Sequence, residues 1–301
     1  MQSIKALSLA PDARDWLANS RHPRILHVFD RACNFINECR EVLSIVTPQI
    51  GNGPFNLVIQ EDVRFSEHLS LESLISVFPT QLNLGHLTIN TDNAKLWSPR
   101  PDWEMLHNRR YDILGQLMSL RATIESKQSP FESGIASQRE AMTLPQLPIT
   151  NYQSSNSLIS SITNADLPSS LTATQKLAGL GIGLTPAGDD FIIGAVLAAW
   201  IIHPPEIARV LAKEVTEVAA PLTTSLSAAW LRSAGRGAAG ILWHKFFESL
   251  LTGNSFSIQV QITKLLSVGH TSGEDALAGF LGVFTAWAGV FRGELRPTVI
   301  R

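Results

Sequence analysis

Basic runs, metal-ligand spacings and long hydrophobic spans are missing from this chain, and each absence removes a class of function. Only 17% of its 301 residues are charged and the formal net charge is −2, so no electrostatic footprint for nucleic acid is present and no polybasic helix points to a membrane surface. The longest apolar stretch, Phe191 to Ile202, is about a dozen residues, too short to span a bilayer and typical of a buried helix. Cysteine is limited to Cys33 and Cys39, which lack the Cys/His company of a zinc site and read as ordinary thiols. No Walker-type Gly-Lys-Ser/Thr and no Gly-x-Ser-x-Gly occurs, so nucleotide and serine hydrolysis have no direct support. Gly179-x-Gly181-x-Gly183 resembles a dinucleotide loop only superficially, because no parallel-strand pattern precedes it and the third glycine is wrongly spaced. Met1 to Ser20 carries one early lysine, a brief apolar stretch and then Pro11, Asp12, Arg14 and Asp15, which predicts no secretory leader and a cytoplasmic protein.

With 45% apolar residues the chain is globular, and its length is consistent with about two domains. Short apolar runs between turn residues at Arg24–Phe29, Val42–Thr47, Phe55–Ile59 and His86–Asn90, with Asn52-Gly53-Pro54 between two of them, predict a mostly antiparallel β unit. Helical spacing is read at Leu69–Phe78 and from Asp102 to about Ser126. From Lys127 to Ser170 the composition turns to Ser, Pro, Gln, Asn and Thr, and a linker is expected there. Seven helices follow, at roughly Leu171–Ala178, Asp189–Ile202, Pro205–Ala219, Thr224–Ser233, Ala238–Leu251, Ile258–Ser267 and Gly273–Val290. The expected class is α+β: a β-rich domain with a closing helix (1–130), a linker or excursion (131–170) and a helical bundle (171–301).

One pattern is written twice in the helical half. Gly-Leu-Thr-Pro-Ala-Gly-Asp-Asp-x-x-x-Gly occupies 183–194 and Gly-His-Thr-Ser-Gly-Glu-Asp-x-x-x-Gly occupies 269–279, each followed by an apolar run. Across a one-residue gap, Thr185, Gly188, Asp190 and Gly194 match Thr271, Gly273, Asp275 and Gly279. A helix start offers unpaired N–H groups and the positive end of the dipole, so two such starts brought together would hold a small anion. Thr271 and Glu274 fit a capping box, while Thr185 suits a cap with Pro186 at N1; capping alone is the competing explanation. Asp190 and Gly194, like Asp275 and Gly279, are i,i+4, which lets two helices cross at the glycines; simple core packing is the alternative.

Charge sharpens the argument, because four of the ten acidic residues from Asn151 onward fall in these two motifs and border the most apolar helices. Carboxylates there need hydrogen bonds, a cation or a metal. Arg236, between Gly235 and Gly237, is the candidate cation, and His270 the best imidazole for acid–base work, with a solvent-facing role as its alternative. Adjacent Asp189 and Asp190 leave a helix about 100° apart and cannot both face one ion.

Five strings carry a specific resemblance: Ile50-Gly-Asn-Gly-Pro-Phe-Asn56, Leu96-Trp-Ser-Pro-Arg-Pro101, Gly179-Leu-Gly-Ile-Gly-Leu-Thr-Pro-Ala-Gly-Asp-Asp-Phe191, Thr224-Ser-Leu-Ser-Ala-Ala-Trp-Leu231 and Gly269-His-Thr-Ser-Gly-Glu-Asp275. Over nearly its whole length the chain resembles a family long described as a domain of unknown function, whose assigned members are the H-type subunit of oxamate carbamoyltransferase in anaerobic allantoin breakdown. The resemblance implies phosphorolysis of oxalurate to oxamate and carbamoyl phosphate, with two partner subunits and without a cofactor. Its ligands are small anions. On that basis Thr185, Gly188, Thr271, Ser272 and Gly273 are candidate neutral donors, Arg236 the charge partner, Asp190 and His270 the catalytic candidates, and Asp189 and Asp275 further binding residues. Asn52 and Asn56 are expected to close the pocket from the β unit. Two other classes stay open: a non-catalytic anion-binding or scaffolding subunit, and a magnesium-dependent hydrolase built on the aspartates.

Overall fold

Short, largely apolar runs between turns build the first unit, with Val42–Val46 and Asn56–Ile59 buried at every residue. A computed structural model describes residues 2–127 and 152–294, which pack as two units: one from the N-terminus to Pro101 joined by Ala238–Ile241, the other from Asp102 to Gly237 and from Leu242 onward. The first unit contains β1 (Gln2–Leu9), α1 (Pro11–Asn19), β2 (Arg24–Val28), β3 (Ala32–Ile36), β4 (Val42–Val46), β5 (Asn56–Ile59), β6 (Ile75–Phe78), β7 (Gln81–Leu84), β8 (Leu87–Asn90) and β9 (Lys95–Leu96). The sheet order is β2-β3-β4-β5-β1-β8-β7-β6, with β9 against β1. Most pairings are antiparallel, but β1 runs parallel to β8 and β9, and β4 parallel to β5.

Its core gathers the inward residues of the central strands, among them Ile4, Phe35, Leu43, Ile45, Leu57 and Ile89, all fully buried. Each such side chain contributes about 1.5–3 kcal/mol. Trp16 on α1 joins them edge-on to Phe35 and donates its indole N–H to Glu41 O at 2.9 Å. Cys33 lies inside this core, where burial pushes its thiol up to about 12; Cys39 is exposed and both are free thiols.

The loop between β4 and β5 is tied locally. Ser8 Oγ donates to Asn52 Oδ1 at 2.6 Å, Ile241 N–H donates to Asn52 O at 2.9 Å, and Asn56 Nδ2 donates to Gly51 O at 2.9 Å. Because Ala238–Ile241 is held this way, the following helix begins at Ile241, later than the expected Ala238. Residues 75–78, expected to be helical, form a strand instead. Ile75 and Val77 pack against the core while Ser76 and Phe78 point out, and the period of two against β7 outweighs the helical spacing.

The second unit is helical: α2 (Trp103–Asn108), α3 (Arg110–Lys127), α4 (Tyr152–Thr163), α5 (Leu167–Leu177), α6 (Ala187–Ile202), α7 (Pro205–Ala219), α8 (Ser225–Gly235), α9 (Ile241–Thr252, of which residues 242 onward belong here), α10 (Ser255–Leu266) and α11 (Ser272–Glu294). Two boundaries differ from expectation. The division falls at Pro101/Asp102, so α2 and α3 belong with the helices rather than closing the β unit. The expected linker lies outside the described residues as far as 151, but its later part forms α4 and the start of α5. Leu158, Ile159 and Ile162 make an apolar stripe on the serine-rich α4, and Asp166 caps α5 by accepting from Ser169 N–H.

Helix α6 is the centre of this unit, buried along nearly its whole length and packed against α2, α4, α5, α7, α8 and α11. Sequence and position agree, since a helix apolar on every face needs neighbours on every face. At its far end Trp200 stacks on Trp103 at 5.8 Å and donates to Ala234 O at 3.0 Å.

Candidate functional site

The duplicated motif folds as a duplicated helical hairpin. In one copy α5 turns at Gly179 (φ +73°) into α6; in the other α10 turns at Gly269 (φ +62°) into α11. The second residue of each following helix, Gly188 or Gly273, lies on the end of the preceding one. A Cβ on Gly188 would stand 2.0 Å from Leu177 O, and one on Gly273 would stand 1.7 Å from Leu265 O. Only glycine fits at either place.

The two copies cross, and they do so at the matched glycines. A Cβ on Gly194 would meet Ala276 O at 1.7 Å, and one on Gly279 would meet Phe191 O at 2.1 Å. This close approach brings the loops together: Thr185 Oγ1 and Ser272 Oγ are 2.8 Å apart across 87 residues of sequence. Thr185 therefore does not cap α6. Pro186 holds the N-cap position, and the Thr185 hydroxyl faces the other copy. The Thr271 hydroxyl instead acts on Asp275, one turn on in its own copy.

Three carboxyl groups are buried here, and their partners differ. Asp189 is completely buried; Oδ1 accepts from Gly179 N–H at 2.8 Å, and Oδ2 accepts from Ser227 Oγ at 2.7 Å and from the Thr223 hydroxyl. It ties the α5–α6 turn to the start of α8, and both of its oxygens are occupied by donors of the protein. Asp190 and Asp275 are 7% and 1% exposed, and each has an Oδ2 atom out of solvent with no hydrogen-bond partner. Burial pushes the Asp190 carboxyl up to about 8, opposed by the hydroxyls of Ser272 and Thr185 and reinforced by the charges of Asp275 and Asp189. Burial also raises Asp275, against the Thr271 hydroxyl and together with Glu274.

Two of the expected backbone donors are occupied: Gly188 N–H donates to Leu180 O at 2.9 Å and Gly273 N–H to Val268 O at 3.1 Å, while Asp190 N–H to Pro186 O at 3.2 Å and Asp275 N–H to Thr271 O at 2.9 Å are the ordinary first bonds of each helix. The loops fold back so that carbonyls occupy two amides that a free helix start would leave open. What converges is side-chain chemistry: three hydroxyls, from Thr185, Thr271 and Ser272, and two carboxyls.

Arg236 does not join them. The start of α8 meets Asp189 through Ser227, and its end meets Trp200 through Ala234; Arg236 follows that end, about 14 Å along the helix from Ser227. It is exposed there. His270 is exposed one residue before Thr271, on the rim of the second loop. Asn52 and Asn56 belong to the β-rich unit, where Asn52 is occupied by Ser8 and Ile241, and the buried Asn56 Oδ1 has no partner. Thr223 and Ser227, which hold Asp189, were not anticipated. The signal for them was the Thr224-Ser-Leu-Ser string, whose hydroxyls cluster at a helix start.

Fold and site together define an α+β protein whose helical unit joins two copies of one hairpin around a carboxyl–hydroxyl centre. Family models match both parts of it: "AllH family N-terminal domain" over residues 5–96 and "Oxamate carbamoyltransferase subunit AllH" over residues 177–284. The chain belongs to this AllH family of oxamate carbamoyltransferase subunits. No solved structure gives a significant match. Among the described residues no helix is long and apolar enough to cross a membrane, and no group of three or more His, Cys, Asp or Glu is arranged around a metal position.

Proposed function

We propose that the chain works in a multi-subunit carbamoyltransferase of the oxamate type, cytoplasmic in location, which converts oxalurate and phosphate to oxamate and carbamoyl phosphate, and that the joined starts of α6 and α11 are its ligand site. Family membership supports the reaction class. One observation carries the choice of site: two matched loops, 87 residues apart, meet through Thr185 Oγ1 and Ser272 Oγ at 2.8 Å beside two buried carboxyls with unused oxygens.

In this reading a phosphate oxygen attacks the carbamoyl carbon of oxalurate, the bond from that carbon to the oxamate nitrogen breaks, and the phosphate proton passes to the departing nitrogen. The hydroxyls of Thr185, Thr271 and Ser272 orient the ligand and meet the developing oxyanion. His270, on the rim, relays the proton. Gly188 and Gly273 serve by allowing the close approach, since their amides are occupied, and Arg236 stands too far along α8 to be the charge partner.

The test is the complex assembled with its partner subunits, with carbamoyl phosphate measured from oxalurate and phosphate. Thr185→Ala and Asp275→Asn are each expected to lower kcat by about 100-fold or more while the complex still assembles. Full activity in both variants would remove the site and leave a scaffolding subunit. Turnover without this chain would remove the reaction from it altogether.

A further inference from the structure

Three carboxyl groups are buried in one part of the helical unit, and only one of them has partners for both of its oxygens. Asp189 has three donors, as described above. Asp190 and Asp275 each keep an Oδ2 atom that reaches neither solvent nor any hydrogen-bond donor. An uncompensated buried carboxylate costs several kcal/mol, so a protein that keeps two of them side by side needs a positive charge between them or a reason to tolerate the deficit. The charges acting on Asp190 are those of Asp275 and Asp189, which have its own sign, and the candidate cation of this chain, Arg236, lies at the opposite end of α8. The deficit also bears on the proposed substrates, because phosphate and carbamoyl phosphate are anions and two bare carboxylates repel them.

We infer that Asp190 and Asp275, each from the first turn of its own helix, together bind one hard divalent cation of the magnesium class, whose remaining positions are filled by water, neighbouring hydroxyls and the phosphate of the substrate. The donor set is entirely oxygen, with Thr185, Ser272 and Thr271 beside the two carboxyls, which suits magnesium or manganese rather than zinc or copper. Two carboxylates are enough for this class of ion, which keeps several waters and takes substrate phosphate as a ligand, so the absence of a third acidic or imidazole ligand among the described residues matches the kind of site inferred. Convergence of the two helices also removes an objection drawn from spacing. Adjacent Asp189 and Asp190 diverge on one helix, whereas Asp190 and Asp275 come from two helices that cross. The duplication thus supplies one ligand per copy.

The inference concerns the same centre as the proposed carbamoyl transfer and gives it the charge that an anionic substrate needs. It is tested separately. The full chain, purified with EDTA and then freed of it, is titrated with Mn2+ and followed by electron paramagnetic resonance, with Mg2+ as competitor. The expected result is one Mn2+ per chain displaced by Mg2+, with affinity reduced about tenfold or more in Asp190→Asn and in Asp275→Asn and unchanged in Glu274→Gln. Melting curves guard against misfolding: without metal the two Asn variants are expected to melt near the wild-type temperature, because Asn matches the buried carboxyl in size and shape, and added Mg2+ raises only the wild type. Absence of Mn2+ binding at millimolar concentration, or equal binding in wild type and both Asn variants, overturns the inference. Wild-type Mn2+ binding in an assembled complex that transfers no carbamoyl group overturns the functional reading and leaves the metal site standing.

Discussion

Two hairpins in this molecule carry one pattern, and where they differ is more informative than where they agree. Both place a glycine on the end of the preceding helix, both close that glycine's amide with a loop carbonyl, and both send one aspartate to the shared centre. They part at the residue before that aspartate. In the first copy it is Asp189, completely buried and held by Gly179, Thr223 and Ser227; in the second it is Glu274, only partly buried. The surroundings explain the divergence, because α8 starts beside the first copy and supplies hydroxyl donors. The position shared by both copies, Asp190 and Asp275, is the one that keeps an oxygen without a partner.

The largest expected effect tests that difference. Asp189→Ala leaves three donors without an acceptor in a dry site and is expected to lower stability by about 4 kcal/mol, whereas Glu274→Ala changes it by about 0.5 kcal/mol or less. Denaturant melts read both; similar losses would mean that the two positions still share a role. The next effect tests the sameness. Gly194→Ala and Gly279→Ala each press a methyl group into the backbone of the opposite helix and are expected to cost about 3 kcal/mol apiece. A tolerated substitution in either one would show that only half of the crossing is rigid.

Smaller effects refine the picture. Thr185→Ala and Ser272→Ala remove the two ends of one hydrogen bond and each also takes a hydroxyl from Asp190, so each is expected to cost about 1 kcal/mol and the double variant less than the sum of the two. Additive losses in that cycle would mean that the hydroxyls act separately. Smallest is a pH effect at the other end of α6. Burial lowers the pKa of His203, whose Nε2–H donates to Ile162 O at 2.7 Å. Below about 6.5 the unfolded chain binds more protons there than the folded one, so this contribution is complete above that pH and is lost as the pH falls. Comparing melts at pH 7.5 and 5.5, His203→Gln is expected to flatten the slope, and an unchanged slope would clear His203 of the effect.

Much of this was legible in the residues. The i,i+4 spacing of Asp190 with Gly194 and of Asp275 with Gly279 allowed a crossing at the glycines beside simple core packing, and the approach of Gly194 to Ala276 O and of Gly279 to Phe191 O decides for the crossing. Turn residues and apolar runs located β2, β4, β5 and β8, four of the nine strands among the described residues. What could not be read depends on distant partners. Nothing near Gly188 or Gly273 announces that carbonyls of Leu180 and Val268 fold back onto their amides, since those paths are set by left-handed glycines in loops of unequal length. The anchoring of Asp189 relies on Thr223 and Ser227, more than thirty residues away. Arg236 looked close to the motif as a flanked cation, yet the direction of α8 alongside α6 carries it to the far end.

The pairing of Thr185 with Ser272 across 87 residues has a further consequence, for how the centre comes into being. Contacts so remote in sequence are among the slowest to form, so the cluster assembles only once α11 has emerged from the ribosome and docked on α6. A chain cut short anywhere between the two hairpins would keep one aspartate and no centre, and the appearance of the complete cluster during refolding reports the last docking event rather than the first collapse.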